Sequence, residues 1–290
     1  MSFLYKLLTV VGGMVAIAYC GACIFLFTQQ TKFIFAPTPL IETTPDFFQL
    51  RYENVWLPVA ATNGKLEGIH GWWVPNSAPR RGNEKVVLYL HGNGINMGAN
   101  IEHANRFHQV GLSVFLIDYR GYGRSTGNFP TESQVYQDAE TAWHYLVKER
   151  GINPSQILIY GHSLGGAIAI DLALRHPDAA ALIVESSFTS IRAMVDYQNQ
   201  FWMFPVNLLL TQRFDSIAKV SKLQMPIFFI HGTADNVVPF EMSKKLFEAA
   251  PEPKQLYLIP NAGHNNTAQT AGAEYLQRVR GFVEQLGVGK

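Results

Sequence analysis

Three residues of this 290-residue chain are of types that cooperate in nucleophilic catalysis. Ser163 lies in the sequence Gly-His-Ser-Leu-Gly, Asp235 ends the sequence His-Gly-Thr-Ala-Asp, and His264 ends the sequence Asn-Ala-Gly-His. A serine hydroxyl becomes a nucleophile when an imidazole accepts its proton and a carboxylate orients that imidazole. The order serine, acid, histidine is one of those in which such triads occur. We therefore expect Ser163 to attack an acyl carbon, with His264 as the base and Asp235 as the orienting acid.

The segment around Ser163 predicts a turn that presents the hydroxyl between a strand and a helix. Residues 156–160 form a short apolar run typical of a strand, and residues 167–174 form an apolar run typical of a helix. Gly161 and Gly165 allow the strand and the helix to approach closely, because neither carries a Cβ. A glycine-rich strand–helix turn of another kind of α/β protein is the alternative interpretation of this motif.

Asp235 and His264 each follow a predicted strand. Residues 227–230 and 255–259 are apolar runs, and the two side chains lie in the loops that come directly after them. Loops that follow neighbouring parallel strands converge at one edge of a sheet. We therefore expect both side chains to lie at the same edge as Ser163.

Other acids and histidines are alternative candidates for the same roles. Glu185 ends a strand and is an alternative acid, whereas Asp118 heads a glycine-rich turn whose local backbone it is expected to hydrogen-bond. His91 and His162 flank the predicted site but sit in tight glycine turns, where a structural role is favoured. Four further histidines fall on predicted helices and are interpreted as surface or packing residues: His103, His108, His144 and His176.

A tetrahedral oxyanion also needs two preorganised N–H donors. Leu164 lies at the start of the predicted helix, where its N–H can face developing negative charge. The turn at residues 90–94 follows the first parallel strand, and it could supply a second donor from Asn93 or from Gly94. A plain strand–helix connection is the alternative interpretation of this turn.

The order of predicted elements indicates an α/β fold with a doubly wound, mostly parallel sheet led by an antiparallel hairpin. Residues 47–58 and 65–75 form the hairpin, joined by an Asn63-Gly64 turn signal. Continuous apolar runs, typical of parallel strands covered on both faces, then alternate with helical patterns. The predicted parallel strands cover residues 86–90, 114–118, 157–160, 181–185, 227–230 and 255–259, and the helices residues 101–110, 132–150, 164–176, 242–249 and 271–286. Residues 186–226 predict a short cap of one or two helices over the carboxyl ends of the strands.

Composition excludes several classes of function. The formal net charge is +1 and no run of Lys or Arg occurs, so the chain has no electrostatic signature of nucleic-acid binding. Cys20 and Cys23 are the two cysteines in the sequence, which leaves the rest of the chain without a disulfide framework or a cysteine-based metal site. The sequence predicts no metal and no organic cofactor, and it leaves the oligomeric state open.

The amino terminus predicts a membrane anchor. Residues 7–27 carry no charge, and a helix of that length spans roughly 31 Å, about the thickness of a bilayer core. A cleaved signal peptide and a lipoprotein signal ending at Cys23 are the alternatives. Lys6 precedes the span and Lys32 follows it, and with the terminal amine this favours an extracytoplasmic catalytic domain. The predicted organisation is an anchor at 1–30, a linker at 31–45 and a catalytic domain at 46–290.

Five motifs in this order and spacing resemble those of the α/β-hydrolase superfamily. They are LHGNG, DYRGYGRS, GHSLGG, HGTAD and AGHN, and the likeness extends from Lys85 to the end of the chain. With the apolar amino terminus, the chain is most similar to the single-pass, membrane-anchored serine hydrolases of that superfamily, some of which are depalmitoylases. The resemblance implies Ser163 as nucleophile, His264 and Asp235 as its partners, and Asn93 and Leu164 as oxyanion donors. Asn265 departs from the pattern, since many relatives have an acid there.

These observations predict hydrolysis of an ester or thioester through an acyl-enzyme. The substrate is expected to be a small-molecule or lipid-like acyl compound, since the apolar run at residues 201–210 could line an acyl pocket and the anchor would place the site near lipids. Ordinary core packing is the alternative interpretation of that run. A peptidase related to prolyl oligopeptidases and a non-catalytic binding protein on the same fold are the alternative functions.

Overall fold

The computed structural model describes residues 2–61, 64–76 and 84–286. Its strands are β1 (Ala36–Pro37), β2 (Glu53–Ala60), β3 (Leu66–Val74), β4 (Val86–Leu90), β5 (Gly94–Ile95), β6 (Ser113–Ile117), β7 (Ile157–His162), β8 (Ala181–Glu185), β9 (Ile227–Gly232) and β10 (Lys254–Ile259). Its helices are α1 (Ser2–Ile34), α2 (Ile101–Gln109), α3 (Glu132–His144), α4 (Leu164–Arg175), α5 (Ile191–Gln198), α6 (Val206–Leu209), α7 (Ile217–Val220), α8 (Phe240–Ala249), α9 (Thr267–Ala271) and α10 (Ala273–Gln285).

The central sheet confirms the predicted fold class. Within the described residues it has eight strands in the order β10-β9-β8-β7-β4-β6-β3-β2. The strands from β10 to β6 pair in parallel, and β2 and β3 form the predicted antiparallel hairpin at the other end. Residues 62 and 63 of the predicted hairpin turn lie outside the described residues. The strands β7, β8, β9 and β10 are neighbours, so the loops after them open at one edge.

The core lies on both faces of this sheet, as the continuous apolar runs predicted. Successive side chains of β4 are fully buried and alternate between two hydrophobic clusters. Val86 and Leu88 face one cluster, whereas Val87 and Tyr89 face the other. A strand covered on both faces cannot alternate apolar with polar residues, which explains the sequence pattern.

The segment between β8 and β9 contains three short helices, α5, α6 and α7. We call residues 186–226 the cap segment. The sequence predicted one or two helices here, and the additional one is the four-residue α7. The predicted helix at 271–286 corresponds to α10, which begins at Ala273 because Gly272 adopts a φ of 58°, and the short α9 before it was not predicted.

The amino-terminal helix α1 is long and apolar enough to cross a membrane. It continues to Ile34, so residues 31–34, which the sequence placed in the linker, are helical. Phe35 follows directly and is fully buried, with its ring against that of Phe214. The chain after α1 is therefore packed into the core of the hydrolase domain and does not form a free linker.

Candidate active site

The turn at Ser163 has the strained geometry that the glycines predicted. Ser163 has φ 54° and ψ −119°, between the end of β7 and the start of α4. A Cβ on Gly161 would lie 2.1 Å from the carbonyl oxygen of Gly165, and a Cβ on Gly165 would lie 2.1 Å from that of Leu90. Both positions therefore require glycine. The backbone of Ser163 is fixed by its N–H, which donates to Glu185 O (2.8 Å), and by its carbonyl, which accepts from the Ser187 hydroxyl (2.8 Å).

The structure brings the three predicted side chains into one hydrogen-bonded chain. Ser163 Oγ lies 3.0 Å from His264 Nε2, and His264 Nδ1 lies 2.7 Å from Asp235 Oδ2. The carboxylate can only accept, so Nδ1 carries the proton and Nε2 is left to accept from the serine hydroxyl. This is the tautomer that a general base needs in order to remove the Ser163 proton.

Four donors hold the Asp235 carboxylate. Oδ2 accepts from His264 and from His231 Nε2 (3.1 Å), and Oδ1 accepts from the N–H groups of Val237 (2.8 Å) and Val238 (2.9 Å). Burial alone would raise the pKa of Asp235, but the hydrogen bonds from His231 and His264 outweigh it and hold the pKa well below its usual range. Asp235 is therefore ionised at neutral pH.

His231 is a positioning residue that the sequence interpretation did not single out. Its Nδ1 lies 2.6 Å from Ser243 Oγ, and its Nε2 faces both Asp235 and the carbonyl of Val238 (3.0 Å). Nε2 therefore carries the proton, and Nδ1 accepts from the Ser243 hydroxyl. The signal for this role was present, since His231 opens the same five-residue motif that Asp235 closes.

The two residues predicted as oxyanion donors line one groove with Ser163. Leu164 is the first residue of α4, so its N–H has no partner within the helix, and Asn93 lines a groove together with Ser163 and Leu164. The Asn93 carbonyl accepts from Ala36 N (3.0 Å) and from the Tyr122 hydroxyl (2.7 Å), which fixes the turn after β4.

The two alternative acids, Glu185 and Asp118, accept hydrogen bonds from groups other than His264. The Glu185 carboxylate is fully buried and accepts from the hydroxyls of Tyr160 (2.8 Å), Tyr275 (2.6 Å) and Thr267. Asp118 Oδ1 accepts from Met97 N (2.6 Å). The expectation that Asp118 binds its own turn is therefore corrected: its partner lies in the loop after β5, which the turn after β6 contacts.

Burial disfavours the charged form of two histidines beside the site, His162 and His103. Burial lowers the pKa of His162, and the adjacent His264 lowers it further. Burial also lowers the pKa of His103, to about 3. His162 Nε2 donates to the carbonyl of His264 (3.0 Å), so it positions the backbone of the proposed base.

Ser163 lies where two cavities of different character meet. The apolar groove, about 190 Å³, is lined by Ser163, Ile34, Phe188, Ile191 and Phe201 among others. The polar pocket, about 450 Å³, is lined by Ser163, Asn100, Glu102, His103, His264 and Gln269 among others. An acyl group bound to Ser163 thus has an apolar surface on one side and a polar surface on the other. Among the described residues no group of three or more His, Cys, Asp or Glu side chains has the geometry to hold a metal ion.

Comparison with known proteins identifies the family. The family model described as "Serine aminopeptidase, S33" matches residues 81–219 and 208–268, which include Asn93, Ser163, Asp235 and His264. The chain belongs to this family of α/β-hydrolases. The match covers both the turn at Ser163 and the loop that carries His264.

Relatives and solved structures agree with this assignment. The uncharacterised protein Rv2307c of Mycobacterium tuberculosis is 32% identical over 94% of each chain. The human α/β-hydrolase domain-containing protein 17B is 34% identical over 69% of this chain and 66% of its own. The Pyrococcus furiosus esterase Pf2001 superposes with a TM-score of 0.71 at 20% identity, over 88% of this chain and 98% of the esterase. That structural likeness shows the shared fold.

Proposed function

We propose that this protein is a serine hydrolase that cleaves carboxylic esters or thioesters through an acyl-enzyme. One observation carries the proposal: Ser163 Oγ lies 3.0 Å from a histidine nitrogen whose partner nitrogen is fixed by a buried carboxylate. In the proposed reaction His264 removes the Ser163 proton as the oxygen attacks the carbonyl carbon. The N–H groups of Leu164 and Asn93 stabilise the oxyanion, His264 protonates the leaving group, and water then releases the acid.

The two cavities support an apolar acyl group joined to a polar leaving group. The apolar groove offers aliphatic and aromatic side chains to the acid half of the substrate, whereas the polar pocket offers Asn100, Glu102 and Gln269 to the other half. The apolar run at residues 201–210 contains both cavity-lining and exposed side chains. Phe201 and Phe204 line the apolar cavity between α1 and the cap segment, whereas Trp202 does not line it and is 76% exposed.

The family name makes an aminopeptidase the second candidate. Such an enzyme needs an acidic group near the nucleophile to bind the substrate's free amine. Among the described residues that line the two cavities at Ser163, Glu102 is the one carboxylate, and it already pairs with Arg106 (2.6 Å) and accepts from Gln269 (3.1 Å). This occupied carboxylate favours ester over aminopeptide substrates.

The proposed location is a membrane, with α1 as a single span and the hydrolase domain on the extracytoplasmic side. The uncharged span and the lysines on either side of it support this proposal. Contacts between the last turns of α1 and the cap segment support retention of the helix, since a cleaved signal sequence would leave the cap segment without them.

The test is labelling of the full-length protein with a fluorophosphonate probe, followed by rates on esters, thioesters and aminoacyl anilides. We expect the wild type to be labelled and Ser163→Ala to be unlabelled, with ester or thioester rates at least about 1000-fold lower in the variant. Labelling that survives in Ser163→Ala would reject Ser163 as the nucleophile. Faster turnover of aminoacyl anilides than of any ester would favour the aminopeptidase.

A further inference from the structure

The carboxyl-terminal part of α1 packs against the cap segment. The ring of Tyr19 stacks on Phe204 at 5.6 Å, and its hydroxyl donates to the carbonyl of Met203 (2.8 Å). Gln30 Oε1 accepts from the N–H groups of Thr211 (2.8 Å) and Gln212 (3.1 Å). The membrane-span candidate is therefore in contact with the hydrolase domain along several turns, and not merely joined to it by a linker.

The end of α1 is also fixed to the predicted oxyanion turn. Asn93 Nδ2 donates to the carbonyl of Ile34 (3.0 Å), and Ala36 N donates to the carbonyl of Asn93 (3.0 Å). The strands β1 and β5 continue this contact as a short parallel ladder. The position of the helix end relative to the turn after β4 is thus set by backbone hydrogen bonds and by the Asn93 side chain.

The apolar groove at Ser163 shares lining residues with a second cavity, which lies between α1 and the cap segment. This second apolar cavity, about 90 Å³, shares Phe33, Ile34, Ile191 and Phe201 with the groove and extends to Leu26 on α1. We call the two cavities together the acyl passage. One wall of the passage is made by α1 and the other by the cap segment.

The surfaces beside the acyl passage are apolar and exposed. On the cap segment Trp202 is 76% exposed and Leu208 is 81% exposed. On α1 Ile24, which is 64% exposed, marks a face turned away from the passage. Exposed apolar side chains flanking a candidate membrane span are suited to contact with lipid. The far end of the passage, at Leu26, therefore lies within the part of the molecule expected to contact the bilayer.

We propose that the acyl passage binds the hydrocarbon chain of a membrane-resident long-chain acyl ester or thioester, which enters sideways from the bilayer between α1 and the cap segment. The helix α1 is then a wall of the substrate site as well as an anchor. This inference rests on the proposed function, because the acyl carbon must reach Ser163. A chain long enough to pass Phe33 contacts Leu26, whereas a short acyl group stays near Ser163.

The test uses substitutions of Leu26 that narrow the far end of the acyl passage in the full-length protein. Leu26→Phe and Leu26→Trp are compared with Ile24→Trp, which adds the same ring to the exposed face of the same helix. In detergent micelles, kcat/KM is measured with 4-nitrophenyl butyrate and 4-nitrophenyl palmitate. We expect Leu26→Trp to lower the palmitate value at least about 10-fold and the butyrate value less than about 2-fold, with Leu26→Phe between it and wild type and Ile24→Trp unchanged on both.

The outcomes separate this inference from the proposed function. Fluorophosphonate labelling of Ser163 at the wild-type rate shows that each variant is folded with an intact site. With labelling intact, equal effects of Leu26→Trp on both esters, or no effect on either, would overturn the acyl passage and leave the serine hydrolase in place. A wild type that neither labels nor cleaves either ester would overturn both. If Leu26→Trp does not fold, the smaller substitution Leu26→Phe tests the acyl passage by the same comparison of kcat/KM for the palmitate and butyrate esters.

Discussion

At the level of single residues, the geometry of Ser163 depends on neighbouring glycines, which have no Cβ. Its φ of 54° lies in a region that residues with a Cβ seldom adopt, and the close contacts at Gly161 and Gly165 leave no room for a side chain. The strain is sustained by hydrogen bonds to the backbone of Ser163 and by burial of the surrounding apolar side chains. The hydroxyl is thus held toward His264 before any substrate binds.

Asp235→Asn is expected to lower kcat about 10³- to 10⁴-fold with little change in the fold. The carboxylate accepts from four donors with two oxygens, whereas an amide has one acceptor oxygen and one donor group. Either His264 loses the acceptor that fixes its tautomer, or the N–H groups of Val237 and Val238 face a donor. Steady-state ester hydrolysis measures the effect, and Asp178→Asn, at an exposed position outside the site, is the control. Near-wild-type activity of Asp235→Asn would show that another group orients His264.

At the scale of elements, the turn after β4 connects the membrane anchor to the site. Asn93 contributes a carbonyl to Ala36 and a side-chain amide to Ile34, so the loop and the end of α1 hold one another. Sequence reasoning found the loop through its glycines but assigned residues 31–45 to a linker. The contact between the end of α1 with β1 and the turn after β4 with β5 was not predictable. Strands of two residues are too short to show a hydrophobic periodicity, and the paired residues are 58 or 59 positions apart in the sequence.

Asn93→Ala tests this connection. The variant keeps the backbone N–H proposed as an oxyanion donor but removes the hydrogen bond to Ile34, which is worth about 1 kcal/mol. We expect kcat to fall about 5-fold while KM stays the same, because a looser loop stabilises the transition state less well without altering the acyl passage. Fluorophosphonate labelling of Ser163 should slow by a similar factor. An unchanged kcat would mean that the Ala36 and Tyr122 hydrogen bonds position the loop without the Asn93 side chain.

At the scale of the whole molecule, the sheet and the convergence of Ser163, Asp235 and His264 followed from the sequence, since parallel strands bring their following loops to one edge. The strand limits differ by at most two residues from those expected for β4, β6, β7, β8, β9 and β10. Packing of α1 on the cap segment could not be predicted, because Tyr19 and Met203 are 184 positions apart and no periodicity links them. The start of α10 at Ala273 differs from the expected start at residue 271 for a local reason, since one glycine in a helical pattern is compatible with either a continuous or an interrupted helix.

The stability of the molecule is expected to decline as the pH falls from about 6.5 to about 4. His70 is fully buried, and burial lowers its pKa to about 4 although Asp118 opposes this. The unfolded chain takes up a proton near pH 6.5, before the folded state can, so acid favours unfolding in this window and the full stability is regained above it. Urea unfolding in detergent, followed by tryptophan fluorescence, should show a shallower decline for His70→Gln than for the wild type. An equally steep decline in both would assign the acid sensitivity to other groups.

A covalent acyl intermediate at Ser163 is the central feature of the proposed mechanism. The decisive measurement is mass spectrometry of the full-length protein after rapid acid quenching of its reaction with 4-nitrophenyl palmitate. We predict a population heavier by one palmitoyl group, carried by the peptide that contains Ser163, together with a burst of nitrophenol equal to that population. Both signals should be absent from Ser163→Ala. A wild type that hydrolyses the ester while carrying the acyl group on any residue other than Ser163 would contradict this mechanism.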